Sequence, residues 1–381
     1  MKRKRWIAFG IPVVLLVCLI IIIWPAAPLW QKMGVKPFCI QGEFPDVKIV
    51  ACSPITPAMT VTPLPLPTLA GQSPVPIIVD DDGSPDGTID LLFFLNNPLF
   101  DVRAVTVSSG EAHPDIFAPH LAQLLVGLGR ADIPVGAGRD TPLKGDNAFP
   151  DSWREASDHF WELRLKSATN LRDPVPAARL IVDTITQSSQ PVVVFLSGTH
   201  TNLAEALRLQ PGIIDKIQDV YVMGGSIHVP GNIKSDWPSI DNSVAEWNIW
   251  VDPVAAQEVF ASGLRLHLVP LDATRKVLWT KADLPFWTSS RSPEGELAGQ
   301  LLQRMIDMWS QESVFIWDLV AAVQATNPAL CPEVSQAVNV VTTPGSQQGR
   351  TLITKGDPNV AICLEPDAGQ VKALAASILQ R

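Results

Sequence analysis

The stretch VPIIVDDDGSPDGTIDLLFFL, residues 75–95, sets Asp80, Asp81, Asp82, Asp86 and Asp90 between two apolar runs. Like charges crowded at one strand end repel one another and favour protonation unless something positive sits among them. A bound cation is the simplest such partner. The plainer reading is an acidic turn before a helix, with Asp86 as a favourable charge near the positive end of the dipole.

The elements that must position these residues follow from the apolar pattern. Strands are expected at PIIVD, VRAVTVS, IPVGAG, PVVVFLSG, DVYVMGG and LRLHLVPLD, and helices at GTIDLLFFLNN, FAPHLAQLLVGLG, PVPAARLIVDTITQS, TNLAEALRLQ, DPVAAQEVFAS and ELAGQLLQRMIDMWSQ. Short β-branched runs alternating with longer amphipathic stretches predict an α/β fold with an open, mostly parallel, Rossmann-like sheet flanked by helices. Continuous apolar strands suit a sheet buried on both faces. Sites in such sheets lie beyond the carboxyl ends of the strands. The Asp cluster, the segment GEAHP and the segment GTHTN each follow a strand directly and share that rim.

The chain of 381 residues carries a formal net charge of -9 with 46% hydrophobic and 18% charged residues, which argues against nucleic acid as a partner. Lys2, Arg3, Lys4 and Arg5 precede an uncharged apolar run from Ile7 to Trp24, near the roughly 20 residues that span a bilayer as a helix. Residues 1–25 thus read as a membrane anchor, or alternatively a signal segment. The basic cluster leaves the N-terminus in the cytoplasm and the rest outside it, as a single-pass membrane protein or a secreted one. Residues 26–75 contain Cys39 and Cys52 and then a Pro- and Thr-rich, uncharged spacer. Residues 76–381 are expected to form one α/β domain. Disulfides persist outside the cytoplasm, and Cys39 with Cys52 and Cys331 with Cys363 is the most local pairing; free buried thiols are the alternative.

Taken by itself, DDDGS resembles the D-x-D-G-[ST] motif of haloacid-dehalogenase-like phosphatases, but an equally clear acidic fourth motif is lacking. An EF-hand fails because Phe93 stands where that loop needs its Glu. Several ordered blocks point elsewhere. The Asp turn, AVTVSSGEAHP, IPVGAGRDTPL, FLSGTHTNLAEAL, VYVMGGSIHVPGN, VAEWNIWVDPVAAQEVF, LVPLDATRKV and FIWDLVAAV together resemble the inosine-uridine-preferring nucleoside hydrolase family from about Pro76 to the end. The segment IKSDWPSIDNS is an insertion relative to it.

The resemblance implies hydrolysis of the N-ribosidic bond of a ribonucleoside to free base and ribose by a calcium-bound water, with calcium (Ca2+) also holding ribose hydroxyls. Asp82 matches the general base and a metal ligand. Asp86, Thr201 and Asp318 match the further metal ligands, Thr201 through its main-chain carbonyl. Glu111, standing where Asn is usual, together with Asn232, Glu246, Trp247, Asn248 and Trp317 would bind substrate. Trp317 replaces the His that some members place before the late Asp; this looks like the purine-preferring members, where an indole stacks on the base, and suggests purine salvage.

One departure stands out, because Gly87 occupies the place of a second Asp that usually chelates the metal. Asp86 moving inward, a pairing of Asp81 with Asp86, or Asp90 one helical turn on would each repair it, the first being preferred from its place at the helix entry. For Asp90 itself a local hydrogen bond or surface exposure is expected. The rival reading is a noncatalytic ribose- or nucleoside-binding protein of the same fold. Self-association into a homo-oligomer is left open.

Overall fold

The computed structural model describes residues 37–44, 47–54 and 73–381 apart from Asn170 and Ser310. The apolar run Ile7–Trp24 lies outside the described residues, and among those described no helix is long and apolar enough to cross a membrane. Within the segment read as a linker, β1 (Pro37–Phe44) and β2 (Val47–Pro54) form an antiparallel hairpin whose register sets Cys39 opposite Cys52.

The larger unit is built on a ten-stranded sheet. Its strands are β3 (Val75–Asp81), β4 (Phe100–Val107), β5 (Val135–Ala137), β6 (Val175–Pro176), β7 (Val192–Leu196), β8 (Ile217–Met223) and β9 (Leu266–Val269), then β12 (Glu333–Val340), β13 (Thr351–Thr354) and β14 (Val360–Cys363). A separate two-stranded ribbon pairs β10 (Leu278–Thr280) with β11 (Ser313–Phe315). The spatial order is 13-12-14-9-8-7-3-4-5-6, parallel from β14 to β6, with β12 antiparallel to both its neighbours. All six strands expected from the sequence are present and adjacent.

Strand β3 pairs with β4 on one side and with β7 on the other. The chain therefore leaves β3 in one direction and later returns to the opposite side of it, which opens a crevice at the carboxyl ends of β3 and β7 where ligands of open α/β sheets bind. Side chains alternate along β3. Ile77 and Val79 join the apolar cluster of the helices Pro85–Asn96 and Trp317–Thr326, whereas Ile78 joins that of the helices Ala177–Gln187 and Thr201–Leu209. The same alternation turns Asp81 toward the helix Pro85–Asn96 and Asp80 and Asp82 to the other side.

The antiparallel edge is fastened by polar groups. His267 on β9 contacts Asp219 of β8 at 3.2 Å and Glu333 of β12 at 2.9 Å, and its ring stacks on Tyr221 at 4.5 Å. A disulfide joins Cys331 to Cys363, as the sequence suggests, holding the start of β12 to the end of β14. Burial alone would lower the pKa of His267, but hydrogen bonds to Asp219 and Glu333 outweigh it and lift the imidazole to about 9. A raised folded-state pKa means that the stabilisation is complete below the ordinary value of 6.5 and is lost as pH rises through about 9. We expect the melting temperature of His267→Gln to fall below that of the parent at pH 6 and to converge on it above pH 9. A gap that stays constant across this range would contradict the ion-pair assignment.

Candidate active site

A cavity of about 560 Å³ opens at the carboxyl ends of β3, β4, β7 and β8. Asp82, Ser84 and Asp86 line it from the turn after β3, Glu111 from the turn after β4, Ser197 after β7 and Met223 at the end of β8. Asn232, Glu246, Trp247, Asn248, Trp317 and Asp318 complete the polar wall.

The turn carrying Asp82 is shaped by glycines. Gly83 has φ +85°, a left-handed conformation that favours Gly, and a Cβ there would meet the Ala112 Cβ at 2.2 Å. Gly110 and Gly198 flank Asp82 closely; a Cβ on either would come within 2.3 Å or 2.5 Å of the Asp82 Cβ. Asp82 Oδ1 accepts from the Ser84 N–H at 3.2 Å. Ser84 is the N-cap of the helix Pro85–Asn96, accepting from the Gly87 N–H at 2.9 Å, with Pro85 in the first turn.

Asp86 and Asp318 are locked together across the cavity by crossed contacts. Asp86 Oδ2 accepts from the N–H groups of Trp317 at 3.1 Å and Asp318 at 3.4 Å, serving the helix Trp317–Thr326, whose own N-cap residue Ile316 offers no side-chain cap. Ser84 Oγ donates back to Asp318 Oδ2 at 3.3 Å. Asp86 thus positions the helix that presents Asp318, and the inward move expected of it as a chelator has only its other oxygen to use. Burial pushes the carboxyls of Asp82, Asp318 and Glu111 well above the usual carboxylate range, with the neighbouring aspartates adding to it. Burial likewise lifts Asp80 and Asp81 to about 7. The site is a dense field of buried acid, with Arg275 as the one cationic side chain among its lining residues.

The polar wall is held by its own hydrogen bonds. Glu246 caps the helix Trp247–Val251, accepting from the N–H groups of Asn248 at 2.9 Å and Gly225 at 2.9 Å. Asn248 Nδ2 donates to the Ser197 carbonyl at 3.0 Å, and Asn232 Oδ1 accepts from the Trp247 N–H at 3.2 Å. These bonds fix the side chains before any ligand arrives, leaving the Asn232 amide and the Asn248 carbonyl group for one.

Thr201 begins the helix Thr201–Leu209 with its side chain fully buried and Oγ1 donating to Asp252 Oδ2 at 2.7 Å; the role expected of it belongs to its main-chain carbonyl, not to this side chain. Ser197, four residues earlier and just after β7, lines the cavity. One expectation is corrected. Asp90 is not exposed but completely buried, with no hydrogen bond of ordinary geometry to either carboxylate oxygen, although the Ser197 hydroxyl favours its charged form. Of the rim histidines, His113 pairs with Asp158 at 2.7 Å, and His200 is buried without a partner, its imidazole pushed down to about 3 by burial. Neither they nor His228 is among the lining residues.

Aromatic residues make much of the rest of the wall. Phe149 stacks on Trp247 at 4.9 Å and Trp153 lies 5.4 Å from it, while Trp309 and Phe315 pack at 6.1 Å and 5.8 Å from Trp317. Trp161 also reaches the cavity, as does Asp236 from the insertion, which accepts from Trp247 Nε1 at 3.3 Å. Sequence reasoning missed Ser197, Asp236 and Arg275 as site residues. Ser197 was findable as a polar residue at the carboxyl end of an apolar strand; the other two carry no such signal.

The model of the inosine-uridine preferring nucleoside hydrolase family matches residues 77–373. A pyrimidine-specific ribonucleoside hydrolase, RihA, of Enterobacter sp. (strain 638) is 30% identical over 317 residues, covering 80% of this chain and 98% of that relative. The RihA of Salmonella schwarzengrund (strain CVM19633) is 29% identical over 306 residues, covering 77% and 94%. Among solved structures, the plant nucleoside hydrolase PpNRh1 superposes with a TM-score of 0.71 at 26% identity, covering 81% of this chain and 99% of that one. A purine-preferring ribonucleoside hydrolase from Gardnerella vaginalis shares the fold, with a TM-score of 0.70 at 20% identity and coverage of 80% and 99%. An acid-lined crevice at the switch point of this sheet, matched over residues 77–373 of 381, places the chain in the inosine-uridine preferring nucleoside hydrolase family of N-glycosyl hydrolases.

Proposed function

We propose that this chain hydrolyses the N-ribosidic bond of purine ribonucleosides, outside the cytoplasmic membrane, with a calcium ion in the Asp turn. The observation that carries the reading is the pairing, in one cavity, of a carboxylate floor with an indole-rich wall. Bond cleavage at the anomeric carbon builds positive charge on the sugar, and the fixed negative groups Asp82, Asp86, Asp318 and Glu111 favour that charge where it develops. Asp82, which lines the cavity just after β3, takes the proton of the attacking water. Asn232, Glu246 and Asn248 hold the ribose hydroxyls, and Trp317 with its aromatic neighbours holds the base.

The donor set suits a hard divalent cation. The lining carboxylates supply hard oxygen, and buried Asp81 Oδ2 and both Asp90 oxygens lack a hydrogen bond of ordinary geometry. Among the described residues no three His, Cys, Asp or Glu side chains already close on one point. Asp82 and Asp318 would hold the ion, with main-chain carbonyl oxygen and water making up a coordination shell of the kind calcium accepts. Once bound, the ion would polarise water and neutralise part of the acid field.

The RihA relatives are named for pyrimidine nucleosides. A wall containing Trp153, Trp161, Trp247, Trp309 and Trp317 supports the larger purine face for this chain. The Cys331–Cys363 disulfide supports an oxidising compartment. Steady-state kinetics with inosine and uridine in calcium test the base preference. We expect a higher kcat/KM for inosine, and a selective rise in its KM in Trp317→Ala; preference for uridine would overturn the purine assignment.

A further inference from the structure

We propose that Asp81 supplies, from the strand, the chelating carboxylate that helix position 87 cannot supply. This rests on the reading of a cation in the Asp turn and names a ligand of that same site. A Cβ placed on Gly87 would lie 2.6 Å from Asp81 Oδ1, 2.9 Å from Asp81 Cγ and 2.9 Å from Ser84 Oγ. The space into which any side chain at 87 would project is already filled by the Asp81 carboxylate. Strand alternation explains the meeting, because Asp81 continues the face of Ile77 and Val79 that packs on the helix Pro85–Asn96. Gly87 is one of the few residues that lets the two elements approach this closely.

The Asp81 carboxylate is half used. Oδ1 accepts from the Gly83 N–H at 2.6 Å, whereas Oδ2 is fully buried with no partner. A buried carboxylate oxygen left unpaired is costly, and a purely structural role would have been met by a neutral acceptor. Of the other candidates, Asp86 already gives Oδ2 to the helix Trp317–Thr326, and Asp90, although buried with no ordinary hydrogen bond to its oxygens, stands a turn further along the helix Pro85–Asn96 rather than against position 87. Ser84 links the two halves of the site, since its Oγ lies beside the Gly87 position and also donates to Asp318 Oδ2 at 3.3 Å. Positions 81 and 87 are therefore two addresses for one carboxylate, and only one can be occupied at a time.

Calcium titrations of the purified full chain by calorimetry test this without reference to turnover. Asp81→Asn keeps an acceptor for the Gly83 N–H and is expected to weaken calcium binding at least about tenfold. Gly87→Asp alone brings two carboxylates into one space and is expected to lose affinity as well. Asp81→Ser combined with Gly87→Asp moves the carboxylate to the helix and is expected to restore affinity to near the parent value. The proposal is overturned if Asp81→Asn binds calcium like the parent, or if the double variant binds no better than Gly87→Asp. Should Asp81→Asn fail to fold, the double variant decides alone. A parent that takes up no calcium overturns the cation reading together with this one, whereas a parent that binds beside an unaffected Asp81→Asn overturns only the role of Asp81.

Discussion

Asp82→Asn is expected to lower kcat for nucleoside hydrolysis by about 10²- to 10⁴-fold, the range of a general base, while folding is retained. Asp82 lies on the cavity floor at the end of β3, between two glycines that clear its path. Asn preserves the volume and can still accept from the Ser84 N–H, so the turn should keep its shape. It cannot take a proton from water. In a calcium-free buffer the variant should also melt no lower than the parent, because it removes one charge from a buried set that includes Asp81, Asp86, Glu111 and Asp318. Kinetics and thermal melts of the same preparation check both halves. Retained turnover would remove Asp82 from the base role.

Gly198→Ala should be nearly as damaging, although residue 198 has no functional group. The added Cβ would sit 2.5 Å from the Asp82 Cβ, 2.5 Å from Ser108 Oγ and 3.1 Å from the Asp82 N. Overpacking of this sort costs about 1–3 kcal/mol. Displacing a reacting group by ~1 Å costs on the order of 100-fold in rate. We expect a loss of that size in kcat/KM, with a lowered melting temperature. Gly212→Ala, where nothing lies within 4 Å, is the matched control and should change neither.

Much of this arrangement is legible in the sequence because its signals are local. Each of the six strands expected from the sequence is an apolar run followed by polar residues, and the strand order then brings their carboxyl ends together. The Asp turn reads directly, although the helix expected from Gly87 begins two residues earlier at Pro85, capped by Ser84. What does not read is contact made over distance. Asp86 serves a helix 231 residues away, and no local pattern marks that partnership. Thr201 matches a motif letter by letter, but the match does not reveal that its side chain is buried against Asp252, 51 residues away. Asp90 looks like a surface residue by type, but the helix Pro85–Asn96 is buried on every side from Pro85 to Phe94. The hairpin of β1 and β2 is obscured by a Pro-rich neighbourhood that reads as spacer.

The most direct measurement is release of reducing sugar from inosine and uridine by the purified chain, with calcium present and then chelated. The account predicts ribose in stoichiometric amount with free base, lost on chelation, regained on adding calcium and missing in Asp82→Asn. If none of the nucleosides yields sugar while ribose still raises the melting temperature, the chain is a binding protein built on a hydrolase fold, and the catalytic account fails.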